Sequence, residues 1–278
     1  MMILIVVCGF LLSDAVLASP VDRIVGGSIA QPGQYPYQAS LRINNNHFCG
    51  GSVIGESWIL TAAHCLDLMG GNAVILNAKV VVGTNKISVG GQPYSINRSI
   101  PHEDYDPSII EYDIGLLQLR DRIIMSNIVN VIPFHSSVPS DWSTCQLSGW
   151  GLISYPVEIR PHDLQHITLI VIPLSVCEDI FKPMKVSLTS KNLCTSGSNG
   201  KGACKGDSGG PLVSDGRQAG VVSWGIPCGK GYPDVYTSVP KFSSWITDQT
   251  GISVGAPTVS SQTFLVPLLI SLWLLLHH

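Results

Sequence analysis

Gly206-Asp207-Ser208-Gly209-Gly210-Pro211 places a serine among glycines, in a segment that must turn tightly and can approach a partner closely. A serine hydroxyl is a weak nucleophile until a neighbouring base removes its proton. The string therefore gains meaning only beside a histidine and an acid that orients it. Both candidates lie upstream. Leu60-Thr61-Ala62-Ala63-His64-Cys65 sets a histidine among small residues next to a disulfide-forming cysteine, and Tyr112-Asp113-Ile114-Gly115-Leu116-Leu117 sets an acid at the head of an apolar run. Alone, either His64 or Asp113 would most often be structural. Together with Ser208 they suit a nucleophile, a base and an orienting acid.

Around these strings, short apolar runs alternate with turn signals: Tyr37 to Leu41, Ser52 to Leu60, Val74 to Val82 and Ile114 to Leu119, then Cys145 to Gly149, Leu164 to Ile172, Pro211 to Val213, Gly220 to Trp224 and Val235 to Val239. With 28 Gly and 18 Pro, this rhythm indicates many short strands, hence an all-β fold in two halves with a seam near Pro133 to Asp141. Phe242, Trp245 and Ile246 fall at i, i+3 and i+4 and predict a short amphipathic helix over 240–250. Hydrophobic residues make up 45% of the 278, enough for a sizeable core. Charged residues are only 13%, the net charge is -3 and no Lys/Arg block occurs, which argues against nucleic acid or an acidic membrane surface as a partner.

The two ends differ in kind from the middle. Residues 1–18 join an apolar run to small residues before Ser19 and read as a signal peptide, with a buried strand or an N-terminal anchor as the alternative. Secretion makes disulfides expected, and removal of Cys8 leaves seven cysteines, an odd number. Residues 19–23 end in Arg23, followed at once by Ile24-Val25-Gly26-Gly27, so a protease specific for basic residues could cut there. Residues 251–278 form a small polar spacer and a hydrophobic tail from Phe264 to Leu276. That pattern fits a GPI attachment signal with Ser253 or Gly255 as attachment residue, a short membrane-inserted tail, or neither.

The His64, Asp113 and Ser208 strings, in that order, resemble those of the trypsin/chymotrypsin family of serine proteases, closest to insect chymotrypsin-like enzymes, from Ile24 to about Thr250. The resemblance implies two antiparallel six-stranded β-barrels, roughly 24–135 and 136–239, with the active site between them and a C-terminal helix at 240–250. It implies a secreted, zymogen-activated serine endopeptidase working through an acyl-enzyme. Ser208 would be nucleophile, His64 general base and Asp113 the acid that holds the imidazole tautomer. The N–H groups of Gly206 and Ser208 would form the oxyanion hole, where each donor is worth about 3 kcal/mol. A cut after Arg23 would free the Ile24 amine to pair with Asp207.

By the same resemblance, Gly202 stands where trypsins carry the acid that binds Arg or Lys, and Ser223-Trp224-Gly225 form the pocket wall. Asp234 replaces a glycine common at that wall, where it either meets the substrate or is hydrogen-bonded to backbone and faces away from it. Cleavage after large apolar or aromatic residues is expected, with tolerance of Arg or Lys through Asp234; trypsin-like specificity through Asp234 is the alternative, as is an inactive homologue serving as a binding module. The implied disulfides are Cys49–Cys65, Cys177–Cys194 and Cys204–Cys228, leaving Cys145 as a free thiol because Ser214 occupies its usual partner's place. No metal or other cofactor is expected, since the loop from Gly83 to Pro93 lacks carboxylates. Expected partners are protein substrates, an activating trypsin-like protease and protein inhibitors, met by a monomer. Asn97-Arg98-Ser99 is a glycosylation sequon.

Overall fold

The computed structural model describes residues 26–70, 77–197, 200–226 and 228–253. Strands β2 (Gln38–Ile43), β3 (Asn46–Gly55), β4 (Trp58–Thr61), β5 (Ala78–Val82), β6 (Gln92–Pro101) and β7 (Gly115–Leu119) close a barrel in the order β2-β3-β4-β7-β6-β5. The run from Ser52 to Leu60 divides into two strands because Glu56 and Ser57 turn the chain between Gly55 and Trp58, which pair directly. At Gly51 a Cβ would press to 2.9 Å from Ile59, so β3 and β4 stack only because that position has no side chain. Strand β6 escaped the sequence reading: it begins Gln92-Pro93 and its middle alternates polar and apolar without a continuous apolar run.

The second barrel is built from β8 (Thr144–Gly149), β9 (Gln165–Ile172), β10 (Asn192–Thr195), β11 (Pro211–Ser214), β12 (Arg217–Gly225) and β13 (Asp234–Ser238). Their order is β9-β10-β13-β12-β11-β8, closed by pairing of β8 with β9. The fold is therefore all-β with two closed six-stranded antiparallel barrels, as expected. One boundary is corrected. Strand β1 (Ser28–Ile29), which the expected limits of 24–135 assign to the first half, pairs with Gln165 and His166 of β9 in the second. The reason is an open edge: β10 pairs with β9 only at Val171 and Ile172, leaving the start of β9 for another strand to cover.

Among the described residues, three helices shape the rest. Helix α1 (Ala63–Asp67) follows β4 and carries His64, and helix α2 (Leu174–Phe181), not foreseen from the sequence, buries Cys177 and Phe181 at i and i+4. The C-terminal helix α3 (Ser243–Thr250) starts later than the expected 240, because Val239–Phe242 forms a tighter 3-10 turn that accommodates Pro240. Its buried Ile246, with Phe242, joins the core of the first barrel, so this helix clasps the barrel opposite to the one it follows. Gly251 at φ +74° stops the helix and donates its N–H to the Thr247 carbonyl.

The three implied disulfides are present: Cys49–Cys65 ties α1 to β3, Cys177–Cys194 ties α2 to β10, and Cys204–Cys228 joins two loops of the second barrel. Closing loops of 16, 17 and 24 residues, each contributes about 3 kcal/mol. Cys145 is free and buried in the second core, with its Sγ 3.5 Å from the Leu169 carbonyl, and burial pushes its thiol up to about 12. Thiol titration of the mature chain is expected to find one reactive group after unfolding and none in the native state; a fast native reaction would contradict the burial of Cys145.

Candidate active site

The first barrel supplies the histidine and the acid. Asp113 precedes β7 in a backbone kinked by Ile110 at φ +55° and Tyr112 at φ +52°, with the Ile114 N–H donating to the Tyr112 carbonyl at 2.7 Å around it. Its carboxylate is 1% exposed. Oδ1 accepts the His64 backbone N–H at 2.9 Å, and Oδ2 accepts the His64 Nδ1–H at 2.8 Å and the Ser223 hydroxyl at 2.5 Å. Thr237 donates to the Asp113 carbonyl at 2.6 Å. The acid thus grips His64 at backbone and ring, which leaves His64 Nε2 as the nitrogen able to take a proton. Nε2 lies 3.6 Å from Cys65 Sγ. Among the described residues no Ser208–His64 hydrogen bond is formed; such bonds are often long without substrate and tighten around it.

The second barrel supplies the serine. The Gly50 N–H donates to the Ser208 carbonyl at 2.7 Å, and the adjoining Gly209, at φ +76°, abuts Thr61 and Ala62 just ahead of His64. A side chain at Gly209 would collide with Thr61, so this glycine is what lets the serine loop close on the histidine loop. Gly206 has φ +104°, a conformation open to glycine, and its carbonyl accepts from His47 Nε2 at 2.9 Å. Among the described residues no acceptor takes the Gly206 or Ser208 N–H. Two amide donors therefore remain for an oxyanion. Between them, Asp207 is buried and accepts the N–H groups of Gly151 at 2.8 Å and Cys204 at 3.0 Å. Burial pushes its carboxyl up to about 6 against those two donors and the nearby Arg160.

A cavity of about 180 Å³ opens beside Ser208, lined by residues that include Ala203, Lys205, Ser223, Trp224, Gly225 and Asp234. That volume is comparable with the roughly 150 Å³ of an apolar cavity that binds benzene. Asp234 is buried in its wall, with Oδ2 accepting the Ala203 N–H at 2.7 Å. A Cβ on Gly202 would stand 2.7 Å from that same oxygen, so an acid at Asp234 requires glycine at Gly202. Burial raises Asp234 to about 7, opposed by the Ala203 N–H and reinforced by the charge of Asp207.

The family model described as Trypsin matches residues 24–246. The chain belongs to the trypsin family of serine proteases. Trypsin delta of Drosophila melanogaster is 36% identical over 225 residues, covering 81% of this chain and 87% of that protein. Trypsin I-P1 of Gallus gallus is 36% identical over 230 residues, covering 81% and 88%. Among solved structures, neuropsin, a serine protease expressed in the limbic system of mouse brain, superposes with a TM-score of 0.73 at 31% identity, covering 80% of this chain and 98% of that one. The protein is a serine endopeptidase, which sets aside the reading as an inactive binding module.

Of the site residues expected from sequence, Asp113 binds His64 and Ser223, one cavity is lined by Ser208, Ser223, Trp224, Gly225 and Asp234, Gly202 abuts Asp234, and Gly206 and Asp207 precede Ser208 in the chain. Arg23 and Ile24 lie outside the described residues, as do the signal segment 1–18 and the tail 254–278. Sequence reasoning missed Thr237 and the second task of Ser223, whose hydroxyl binds Asp113 besides lining the pocket. Neither carries a local signal, since both act on an acid more than a hundred residues away. Lys205 at the pocket mouth was also missed; it pairs with Glu158 at 2.7 Å and adjoins the Tyr155 ring. His64 sits near Cys49 and Cys65, but the two sulfurs are bonded to each other and cannot act as thiolate ligands.

Proposed function

We propose that the protease is made as an inactive secreted precursor, is switched on by a cut after Arg23, and cleaves peptides after large apolar or aromatic residues and after Arg or Lys. Three disulfides fit an oxidising, extracellular compartment. The observation that carries the catalytic part is the double hold of Asp113 on His64, at backbone N and at Nδ1. With Nδ1–H committed to the acid, Nε2 accepts the Ser208 proton as Oγ attacks the scissile carbonyl carbon. The carbonyl oxygen gains the charge and is held by the Gly206 and Ser208 N–H groups. Protonated His64 then gives its proton to the leaving amine, the C–N bond breaks, and an ester to Ser208 remains. Water, deprotonated by His64, cleaves that ester in turn.

Asp207 supports the activation step. Its buried carboxylate has two neutral N–H donors, and among the described residues no cation forms an ion pair with it. A new ammonium at Ile24 would supply the missing charge, an interaction whose loss typically costs about 3 to 5 kcal/mol. Protein cut after Arg23 is expected to label stoichiometrically with a serine-directed fluorophosphonate, uncut protein to label slowly, and Ser208→Ala not at all. Equal labelling of cut and uncut chains would reject the activation step, and labelling of Ser208→Ala would reject the nucleophile.

The specificity part rests on Asp234 in the pocket wall. A carboxylate there can meet a basic side chain, and the space beside it accommodates a ring. The curated relatives bear the name trypsin, which favours the basic side of this dual preference.

A further inference from the structure

Strand β6 breaks its alternation once. Ile96 stands opposite Leu119 and Arg98 opposite Gln118, so one step along β7 meets two along β6, and Asn97 is the extra residue of a β-bulge. The consequence is a change of face. In a regular strand Arg98 would share the inward face of the buried Ile96, but beyond the bulge Asn97 and Arg98 are both exposed. Asn97 opens the sequon Asn97-Arg98-Ser99. Its Nδ2 donates to Gln118 Oε1 at 3.3 Å on the exposed surface. An amide nitrogen carries two protons, so a sugar can replace one and leave that bond in place.

Register also fixes where such a group would stand. Pro101 pairs with Gly115, just past Asp113, and Asn97 lies back along β6 from there by about 14 Å. A substituent at Asn97 therefore leaves the cleft open. What lies beside it is basic. Arg120 donates Nε to the Ile96 carbonyl at 3.3 Å, and Arg122, its side chain 83% exposed, pairs with Glu56 at 2.8 Å. Arg98 and Arg120 are exposed as well, and the bonds after Arg120 and Arg122 lie in irregular chain beyond β7. Exposed irregular segments are where proteases cut. The activating enzyme proposed above cuts after arginine, and the protease itself is proposed to accept such sites.

We propose that Asn97 carries an N-linked glycan that shields the neighbouring Arg98, Arg120 and Arg122 from proteases that cut after basic residues. In the transfer, Asn97 Nδ2 bonds to C1 of an oligosaccharide held on a lipid diphosphate. The C1–O bond breaks, the lipid diphosphate leaves with the electron pair, and a base of the transferring enzyme takes one Nδ2 proton. The product is bulky and strongly solvated, so it obstructs the approach of a second protein to the surface around it. The inference rests on the reading of the chain as secreted, because the sugar donor is met on that route.

The test uses the full chain expressed in secreting eukaryotic cells. Peptide-N-glycosidase is expected to lower the mass of the wild type and of Ser99→Thr, and to leave Asn97→Gln and Ser99→Ala unchanged. Under a trace of added trypsin, Asn97→Gln and the enzymatically deglycosylated wild type should be nicked after Arg98, Arg120 or Arg122 about 5-fold faster than the glycosylated protein. Their kcat/KM on a small peptide should stay within about twofold of wild type. Adding Arg120→Gln and Arg122→Gln to Asn97→Gln should recover most of the resistance. Deglycosylation acts on protein that has already folded, so the comparison holds even where Asn97→Gln folds poorly. Wild type recovered from the medium without a glycan would overturn the proposal and leave secretion standing, whereas an unmodified chain kept inside the cells would reject both. Equal nicking rates with and without the glycan, or faster nicking only at other sites, would overturn the shielding.

Discussion

Asp113→Asn is expected to lower kcat about 10⁴-fold while the protease stays folded. The geometry leaves an amide no good placement. Three donors converge on the carboxylate: the His64 backbone N–H on Oδ1, and the His64 ring and Ser223 hydroxyl on Oδ2. If the asparagine oxygen takes the Oδ2 place, its NH2 points at the His64 N–H, donor against donor. If the NH2 takes that place, His64 must present a bare Nδ1 to it. The ring proton then moves to Nε2, and a protonated Nε2 cannot accept from Ser208. Either arrangement also removes the negative charge that stabilises the imidazolium. Steady-state kinetics with a far-UV circular dichroism control checks this. A loss below about 10-fold would mean that Asp113 is not what orients His64.

Asp234→Gly is expected to lower the ratio of kcat/KM for basic over aromatic cleavage sites on the order of 100-fold. A Lys or Arg side chain entering a cavity of about 180 Å³ leaves water behind, and without a carboxylate its charge goes unpaired. Losing one partner of a buried charge pair costs about 2 to 5 kcal/mol. The same ratio in the wild type should depend on pH. Burial raises Asp234 to about 7, so the group is mostly neutral at pH 6 and mostly ionised at pH 8. The ratio is expected to rise about 10-fold over that interval, and because both substrates use His64, its own titration cancels. The charged neighbours are Asp207, which pushes Asp234 up, and Lys205 at the pocket mouth.

The sign for stability runs the other way from that of a paired acid. A folded-state value above the unfolded one means that Asp234 supports the fold fully below about pH 4, and that this support is lost as pH rises through 7. Asp234→Asn should therefore raise Tm more at pH 8 than at pH 5. Peptide-library profiling of the wild type and the glycine variant completes the test; unchanged cleavage at basic residues in Asp234→Gly would remove the acid from the specificity pocket.

Much of the site is legible in the sequence. The glycines around Ser208, the small residues before His64 and the apolar strand after Asp113 are local patterns, and each reflects a local need: a tight turn, a short helix beside a disulfide, a buried strand. Strands with continuous apolar runs were legible for the same reason. Strand β6, with its polar alternation, and β10, only four residues long, carry too little pattern to stand out. Helix α2 was obscured because its buried face consists of just Cys177 and Phe181.

From the residues alone came the fold class, the three chemical strings and the cysteines available to pair. Tertiary structure decided that Asp234 accepts from Ala203 in the cavity wall, that β1 serves the second barrel, that Ser223 and Thr237 brace Asp113, and that His47 binds the Gly206 carbonyl. The separation in sequence explains the division. Ser223 and Asp113 are 110 residues apart, and His47 and Gly206 are 159 apart. Periodicity and turn chemistry record what a residue needs from its neighbours along the chain, whereas these contacts exist only once two closed barrels have brought their loops to a common seam.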